Sequence, residues 1–247
     1  GERGREVGAF VNGMLDSEAK AKTCIVAVPA DRSPLLRIRG ADRATAIAEY
    51  FRSKGKHVLL IMDSLTRVAH AQREIGLALG EQATAKGYPP SVISLLPKLI
   101  ERSGTGTSTQ GSITAFYTVL ADGDDSNDPV VDTSRAILDG HILLSRSQTQ
   151  LGIYPAIEVP LSVSRVMNEI TDEKHQEYAR LFKKYLSLYM ENRDLILMGG
   201  YESGQDEELD LAISLWPQLK DHIEQAENTK ADFASSMSSL AAIFERK

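Results

Sequence analysis

Several features that would define a common class of protein are missing from this chain. It has no loop of the pattern GxxxxGK followed by serine or threonine, which holds phosphate groups in many nucleotide-hydrolysing proteins. The nearest stretch, 104–111 (GTGTSTQG), has no lysine. Cys24 is the only cysteine, which excludes an internal disulfide and fits a reducing compartment. It lies in an apolar run, so we expect a small buried side chain rather than a nucleophile.

Other absences narrow the function further. No apolar run approaches the ~18 residues of a membrane span, and no signal-peptide pattern begins the chain, so we expect a cytoplasmic protein. The formal net charge of -6 argues against a surface for nucleic acid. No HExxH pattern and no Gly-x-Ser-x-Gly elbow occurs, which counts against a zinc site and a serine hydrolase.

The order of apolar runs predicts an α/β domain followed by a helical one. Strands are expected at 24–28, 58–62, 112–120 and 141–144, each covered on both faces. A helix at 34–54 joins the first two, which makes a βαβ crossover and a parallel sheet. A loop at 103–111 and a turn at 123–129 precede a short helix at 132–138.

The pattern of apolar residues changes near residue 171. Strand patterns end there, and helices are predicted at 173–193, 208–225 and 231–244. We therefore predict an α/β domain over residues 1–170 and a helical domain over residues 171–247. No internal repeat or low-complexity segment interrupts them.

Charged residues near strand and domain ends are the candidates for chemistry. Asp63 ends an apolar strand, where a carboxylate either holds Mg²⁺ through water or simply starts a turn. Arg67, one helical turn further, is either part of that site or a surface cation. Glu2 and Glu6 would either present their carboxylates together on one face of a helix or merely stabilise the amino-terminal end of its dipole. Arg165 is either solvated or reaches a neighbour's active site.

Five segments occurring in order carry a resemblance to a known family. They are 1–6 (GERGRE), 60–67 (LIMDSLTR), 111–120 (GSITAFYTVL), 137–142 (ILDGHI) and 162–165 (SVSR). Together they closely resemble the rotary-type ATPases related to the F1 catalytic subunit, and most of all the export ATPases of type III secretion. The segments 215–219 (LWPQL) and 231–233 (ADF) are more similar to the flagellar than to the injectisome branch.

The resemblance implies a fold and accounts for the missing loop. The implied fold is an α/β, RecA-like P-loop core with a mostly parallel sheet, followed by a small all-helical domain. In that family a β-barrel and the phosphate loop precede the GERGRE block. We therefore expect this chain to be a fragment that lacks the Walker A loop and, on its own, hydrolyses no useful ATP.

The resemblance also assigns catalytic roles. Glu2 matches the glutamate that activates or positions the attacking water, and Arg3 is its neighbour near the γ-phosphate. Arg165 matches the arginine finger, which acts in trans on the nucleotide of the adjacent subunit.

Further matches concern binding of ATP and Mg²⁺. Asp63 matches the Walker B aspartate, and Glu6 would help to order water on Mg²⁺. Arg67 matches a phosphate-facing arginine. Tyr154 either lies where an aromatic residue of the family stacks on adenine or belongs to the core, as a tyrosine before proline equally can. The family also implies a cis peptide bond between Asp63 and Ser64.

The implied function is an ATP-hydrolysing motor subunit that energises flagellar protein export. The implied partners are five further copies in a homohexamer, a central stalk protein, the export gate, and export substrates or chaperones. Nucleic acid is not among them, and the membrane is reached only through the apparatus. The acidic loop at 199–208 either contacts the stalk or is a solvated turn.

Three alternatives stay open. The first is an injectisome ATPase of type III secretion, and the second is a non-catalytic subunit of a rotary ATPase, which would share the fold. The presence of Glu2 argues against the latter, since a non-catalytic subunit has no need of the base. An RNA-translocating hexameric helicase has a related core, but the acidic balance disfavours it.

Overall fold

The computed structural model describes residues 1–107, 111–121 and 128–245. These residues form two units, Gly1–Leu138 and Asp139–Lys247. The predicted loop at 103–111 and the predicted turn at 123–129 each lie partly outside the described residues. The predicted domain boundary near residue 170 stays a prediction.

A three-stranded mixed sheet lies at the centre of the first unit. Its strands are β1 (His57–Met62), β2 (Gly104–Thr105) and β3 (Ser112–Tyr117), in the order β1-β3-β2. β1 and β3 run parallel, and β2 pairs antiparallel with β3. The register joins Met62 to Tyr117, so the two parallel strands β1 and β3 end at the same edge of the sheet. The residues that follow them are therefore neighbours.

Helices cover one face of this sheet. They are α3 (Pro34–Ser53), α4 (Leu65–Ala78), α5 (Pro90–Ile100) and α6 (Pro129–Ile137). Leu60 and Met62 of β1 are buried beneath them, whereas Leu59 and Ile61 are 61% and 62% exposed. The prediction that this strand is covered on both faces is wrong, because the helices packed on it contact the face of Leu60 and Met62.

The amino-terminal segment forms short helices rather than a strand. α1 (Gly4–Ala9) continues into a π-helical turn, Phe10–Met14, and α2 (Ser17–Ala21) follows. The predicted strand at 24–28 is wrong, since these residues belong to no strand and pair with none of the described residues. Val28 instead contacts α3 at Gly40, where a Cβ would lie 2.6 Å from Val28 Cγ2. The predicted βαβ crossover is therefore also wrong, and Cys24 is exposed rather than buried.

The second unit is mainly helical. It begins with a two-stranded antiparallel pair, β4 (Gly140–His141) and β5 (Val163–Ser164), and the short helices α7 (Arg146–Gln150) and α8 (Met167–Ile170). The predicted strand at 141–144 is thus shorter than expected. The three long helices are α9 (Glu173–Leu197), α10 (Glu207–Ile223) and α11 (Phe233–Phe244), and all three were expected from helical periodicity.

One apolar cluster joins the three long helices. Its buried members are Phe182, Leu186, Leu215, Leu219, Leu240 and Ile243. An aspartate caps each helix: the side chains of Asp172, Asp206 and Asp232 accept hydrogen bonds from backbone N–H groups in the first turn. Across the described residues, none of the helices combines the length and apolar character that crossing a bilayer requires.

Candidate active site

Asp63 and Thr118 meet at the carboxyl edge of the sheet. Asp63 follows β1 and Thr118 follows β3, so the parallel register brings them side by side. Thr118 Oγ1 donates a hydrogen bond to Asp63 Oδ1 at 2.6 Å. The Thr118 backbone is held in turn by Met62 O and Leu65 N, at 3.1 and 2.9 Å. One carboxylate oxygen of Asp63 is thus oriented by protein, which leaves the other for a ligand.

Helix α4 starts immediately after Asp63 and carries Arg67 in its first turn. Ser64 is 2% exposed and caps the helix, because its Oγ accepts a hydrogen bond from Arg67 N at 3.3 Å. The peptide bond between Asp63 and Ser64 is cis, which confirms that prediction.

Glu2 approaches this edge from the amino-terminal segment. Arg67 Nε donates to Glu2 Oε1 at 3.2 Å, and Glu2 O accepts from Ala30 N at 3.2 Å. A Cβ at Gly1 would lie 2.5 Å from Arg67 Cβ, so only glycine allows the backbone to pass this closely. A carboxylate and a guanidinium are therefore paired beside Asp63.

Glu2 and Glu6 do not share a helical face. Arg3 has extended backbone angles, and α1 begins only at Gly4, so Glu2 lies outside the helix. Glu6 instead faces Arg3, with Arg3 Nη1 and Glu6 Oε1 3.7 Å apart, and both side chains are exposed. The shared-face prediction is wrong because the chain turns into the helix one residue after Arg3.

A cavity of about 100 Å³ lies beside Asp63 and Arg67. Arg37 of α3 also lines it, with its Nη2 donating to Glu74 Oε1 at 2.6 Å. The Arg37 Nε is buried and has no hydrogen-bond partner among the described residues. Neither Arg37 nor Thr118 is expected from the sequence to belong to the site. Thr118 could have been found from the predicted parallel pairing of the two strands, because the residues that follow two adjacent parallel strands are neighbours.

The remaining two candidates lie in the second unit. Arg165 directly follows β5, and its backbone N–H donates to Asp139 O at 2.7 Å. Tyr154 is 55% exposed, precedes a cis proline, and its carbonyl accepts from Gln225 N at 2.9 Å. Both side chains are therefore on backbone that is fixed by hydrogen bonds within this unit.

Two family matches together cover most of the chain. Residues 1–164 match the ATP synthase alpha/beta family, nucleotide-binding domain. The chain belongs to this family. Residues 171–242 match the T3SS EscN ATPase C-terminal domain, which identifies the type III secretion branch. The predicted family and the predicted α/β fold with a helical carboxyl-terminal domain are confirmed.

Individual relatives agree with this assignment. The "Flagellum-specific ATP synthase" of Salmonella typhimurium (strain LT2) is 54% identical over 99% of this chain. The assembled ATPase EscN from the enteropathogenic E. coli type III secretion system has a TM-score of 0.94 at 44% identity, over 98% of this chain and 58% of its own. EscN in complex with its central stalk EscO has a TM-score of 0.88 at 43% identity, over 98% of this chain and 57% of its own. This chain spans about half the length of the relatives it matches, 54% of the Salmonella protein.

Proposed function

We propose that the full-length protein is an ATP-hydrolysing motor subunit that energises protein export through the flagellar type III apparatus. The pairing of Glu2 with Arg67 at 3.2 Å, beside Asp63, is the observation that carries this proposal. The relatives named flagellum-specific ATP synthase support the flagellar branch, at 54% identity. An injectisome ATPase is the second candidate, because EscN is 44% identical.

Glu2 is the proposed base for the reaction. Its carboxylate would take a proton from water, or hold that water in line, as it attacks the γ-phosphate of ATP. Arg67 now neutralises this carboxylate, and a phosphate oxygen could replace the carboxylate on the same guanidinium. Arg3 is exposed next to Glu2 and would add a second cation. The pair thus supplies one acceptor for a proton and one donor for a phosphate.

The oxygen ligands at the strand ends suit Mg²⁺, which prefers hard oxygen ligands and keeps several waters. Among the described residues, no three His, Cys, Asp or Glu side chains lie close enough together to hold a metal directly. Asp63 and Glu6 would therefore hold Mg²⁺ through water, and the ion, when bound, would neutralise charge on the phosphate oxygens. Thr118 orients Asp63 for this role.

We propose roles in nucleotide chemistry for two residues of the second unit. Arg165 would act in trans on the nucleotide of the neighbouring subunit, where a planar guanidinium stabilises charge that develops during phosphoryl transfer. The exposed ring of Tyr154 would stack on adenine. The role of Arg165 in trans requires an adjacent copy, so we propose a homohexamer. The EscN structure, which is of an assembled ATPase, supports this.

The proposed partners follow the same family. A central stalk protein would contact the acidic loop at 199–208, and the complex of EscN with its central stalk EscO supports that partner. The export gate and the export substrates or chaperones are further proposed partners. We propose a cytoplasmic location at the face of the export apparatus.

Phosphate release provides the test. In full-length protein, Glu2→Gln should lower turnover about 100-fold or more, because an amide cannot accept the proton. Glu18→Gln, an exposed glutamate on α2, is the matched control and should leave turnover unchanged. The 247-residue chain alone should release no phosphate, since its sequence has no Walker A loop. Full activity of Glu2→Gln would refute the assigned base, and turnover by the chain alone would refute the need for that loop.

A further inference from the structure

Helices α9 and α10 border a groove of about 190 Å³ in the second unit. Tyr189 of α9 and Trp216 of α10 line it, with their rings stacked at a centroid distance of 4.2 Å and an angle of 12°. Leu151, Ile153 and Leu197 supply the apolar part of the lining. Leu197 is 65% exposed, so the groove opens to solvent.

Each aromatic residue of the groove is followed by a cation one helical turn later. Arg193 comes four residues after Tyr189, and Lys220 comes four residues after Trp216, and both cations line the groove. Residues at this spacing lie on the same helical face. Two helices therefore present the same pair, an aromatic ring and a positive charge, to one cavity.

Arg193 and Lys220 form only weak ion pairs with other residues of the chain. Arg193 Nη1 lies 3.8 Å from Asp194 Oδ1, and Lys220 Nζ lies 3.2 Å from Glu224 Oε1. Both carboxylates are exposed, and exposed pairs contribute at most about 1 kcal/mol each. An incoming carboxylate can therefore replace either partner at little cost.

The groove also offers hydrogen-bond donors. Within the described parts of the chain, neither the Trp216 indole N–H nor the Tyr189 hydroxyl forms a hydrogen bond. The lining therefore combines two charged donors, two neutral donors and apolar carbon. A ligand that matches it must bring acceptor oxygens and an apolar group together.

The size of the groove decides between a small molecule and a protein segment. Pockets for small molecules and cofactors usually enclose about 300–1,000 Å³. A groove of about 190 Å³ instead suits one side chain that projects from a larger partner. Aromatic residues and arginine are also enriched where protein partners bind.

We propose that this groove is a docking site for an acidic segment of a partner protein. The segment inserts one leucine or phenylalanine side chain against Tyr189, Trp216 and Leu197. Carboxylates on either side of that side chain pair with Arg193 and Lys220. The docking requires no nucleotide chemistry, so its failure leaves the proposed ATPase function untouched.

Trp216 makes the test direct, because it is the only tryptophan in the chain. The probe is a short synthetic peptide in which pairs of glutamates flank a leucine and a phenylalanine. Titration into the 247-residue chain should give a saturable change in Trp216 fluorescence. A matched peptide with lysine in place of glutamate should give none.

Charge reversal distinguishes this docking from non-specific association. The double variant Arg193→Glu/Lys220→Glu should bind the acidic peptide about tenfold more weakly or worse and should gain binding of the lysine peptide. Arg180→Glu, an exposed change on the same helix outside the groove, is the control and should bind as the native chain does. Leu197→Ala should weaken binding without loss of folding, because this side chain is largely exposed.

Three results would overturn the proposal. The first is equal binding of the acidic and basic peptides to the native chain. The second is undiminished binding of the acidic peptide to the double variant. The third is a fluorescence change that depends on protein concentration alone, which would identify the groove as a contact between copies of this chain.

Discussion

Thr118 Oγ1 donates to Asp63 Oδ1 across the carboxyl ends of the two parallel strands, at 2.6 Å. The Thr118 backbone is itself held on both sides by hydrogen bonds to Met62 and Leu65. The threonine hydroxyl therefore sets the direction of the carboxylate that is proposed to hold Mg²⁺ through water. Its effect is exerted through Asp63, which makes Thr118 a positioning residue.

Thr118→Val should lower phosphate release by the full-length protein about tenfold, because the Asp63 carboxylate loses the hydrogen bond that orients it. Thr118→Ser retains the hydroxyl and should restore most of the activity. The concentration of Mg²⁺ for half-maximal turnover should rise in the valine variant and return in the serine variant. Equal activity of both variants and the native protein would contradict the positioning role.

Arg102 ties the end of α5 to α3. Its Nε and Nη2 donate to the two Glu49 carboxylate oxygens at 2.9 and 2.8 Å, and Nη1 donates to Asp42 Oδ1 at 3.1 Å. Arg102→Ala should lower the free energy of unfolding by about 1–2 kcal/mol, because three charge-assisted hydrogen bonds are lost. Lys22→Ala, which removes one exposed ion pair with Glu18, should cost about 0.5 kcal/mol or less. Urea unfolding at neutral pH measures both.

The same contact makes stability depend on pH. The hydrogen bonds from Arg102 lower the pKa of Glu49 below its ordinary value of 4.5. A lowered carboxyl pKa stabilises the folded state above that ordinary value, and the stabilisation is lost as pH falls through the folded pKa. The gap in unfolding free energy between the native chain and Glu49→Gln should therefore narrow below about pH 4.5. A gap that stays constant with pH would contradict this linkage.

The carboxyl edge of the sheet could be predicted from sequence because its signals are local. The apolar runs around β1 and β3 and the aspartate after β1 identify a strand end. The segment at 24–28 has the same apolar character and yet is no strand. An apolar run indicates only that a segment is suited to a β-strand. Whether the segment pairs with another strand or packs on a helix depends on tertiary contacts, such as that of Val28 with Gly40.

Glu2 illustrates a different limit. Arg67 lies 65 residues from Glu2 in the sequence. Whether the two side chains meet in space depends on the backbone conformation of the segment that precedes α1. Arg3 adopts an extended conformation there, and no residue pattern in GERGRE distinguishes that entry from a helix that starts earlier. The family resemblance identifies Glu2, but only the folded structure shows its contact with Arg67.

We expect His222 to make the helical unit less stable in acid. Its ring is half-buried, lies 5.4 Å from the Phe182 ring and has Nδ1 3.0 Å from Ser239 Oγ. Burial lowers the pKa of His222 below its ordinary value of 6.5. The unfolded chain therefore binds a proton more readily, so the stabilisation is complete above about pH 6.5 and is lost as pH falls below it.

The urea concentration at the midpoint of unfolding of the native chain should therefore fall as the pH is lowered from about 7.5 to about 5.5. His222→Gln should reduce this dependence on pH. Ser239→Ala is the control. It removes the hydrogen bond and leaves the ring buried, so the pH dependence should survive. The fluorescence of Trp216, the only tryptophan in the chain, follows the unfolding of this unit at each pH. An unchanged dependence in His222→Gln would assign the effect to other groups.

The acidic residues around the start of α10 divide into carboxylates that form hydrogen bonds within the chain and carboxylates that are available to a partner. Asp206 caps α10 by accepting from Glu208 N and Leu209 N, at 2.9 and 3.1 Å. Asp210 accepts from Tyr201 Oη at 2.8 Å and from Gly204 N at 2.7 Å, and these bonds lower the pKa of Asp210. These two carboxylates hold the loop in shape.

Glu202 and Glu207 are exposed and form no ion pair or hydrogen bond with other described side chains, so they are the carboxylates available to a basic stalk. The double variant Glu202→Lys/Glu207→Lys should weaken binding of the stalk protein to the full-length assembly about tenfold. The difference in affinity between the variant and the native protein should be smaller at high salt, because salt screens the charges. Its unfolding free energy should not change. Asp206→Ala should instead cost about 1 kcal/mol of stability through loss of the cap.

Glu227→Lys, an exposed charge reversal after α10, is the control for a reversal outside the loop. Titration of labelled stalk protein at two salt concentrations compares the variants. If the control weakens binding as much as the double variant does, the effect is one of overall charge. If neither does, the loop is a solvated turn, and the contact with the stalk must lie elsewhere on the helical unit. A selective loss in the double variant, with stability intact, assigns the contact to Glu202 and Glu207.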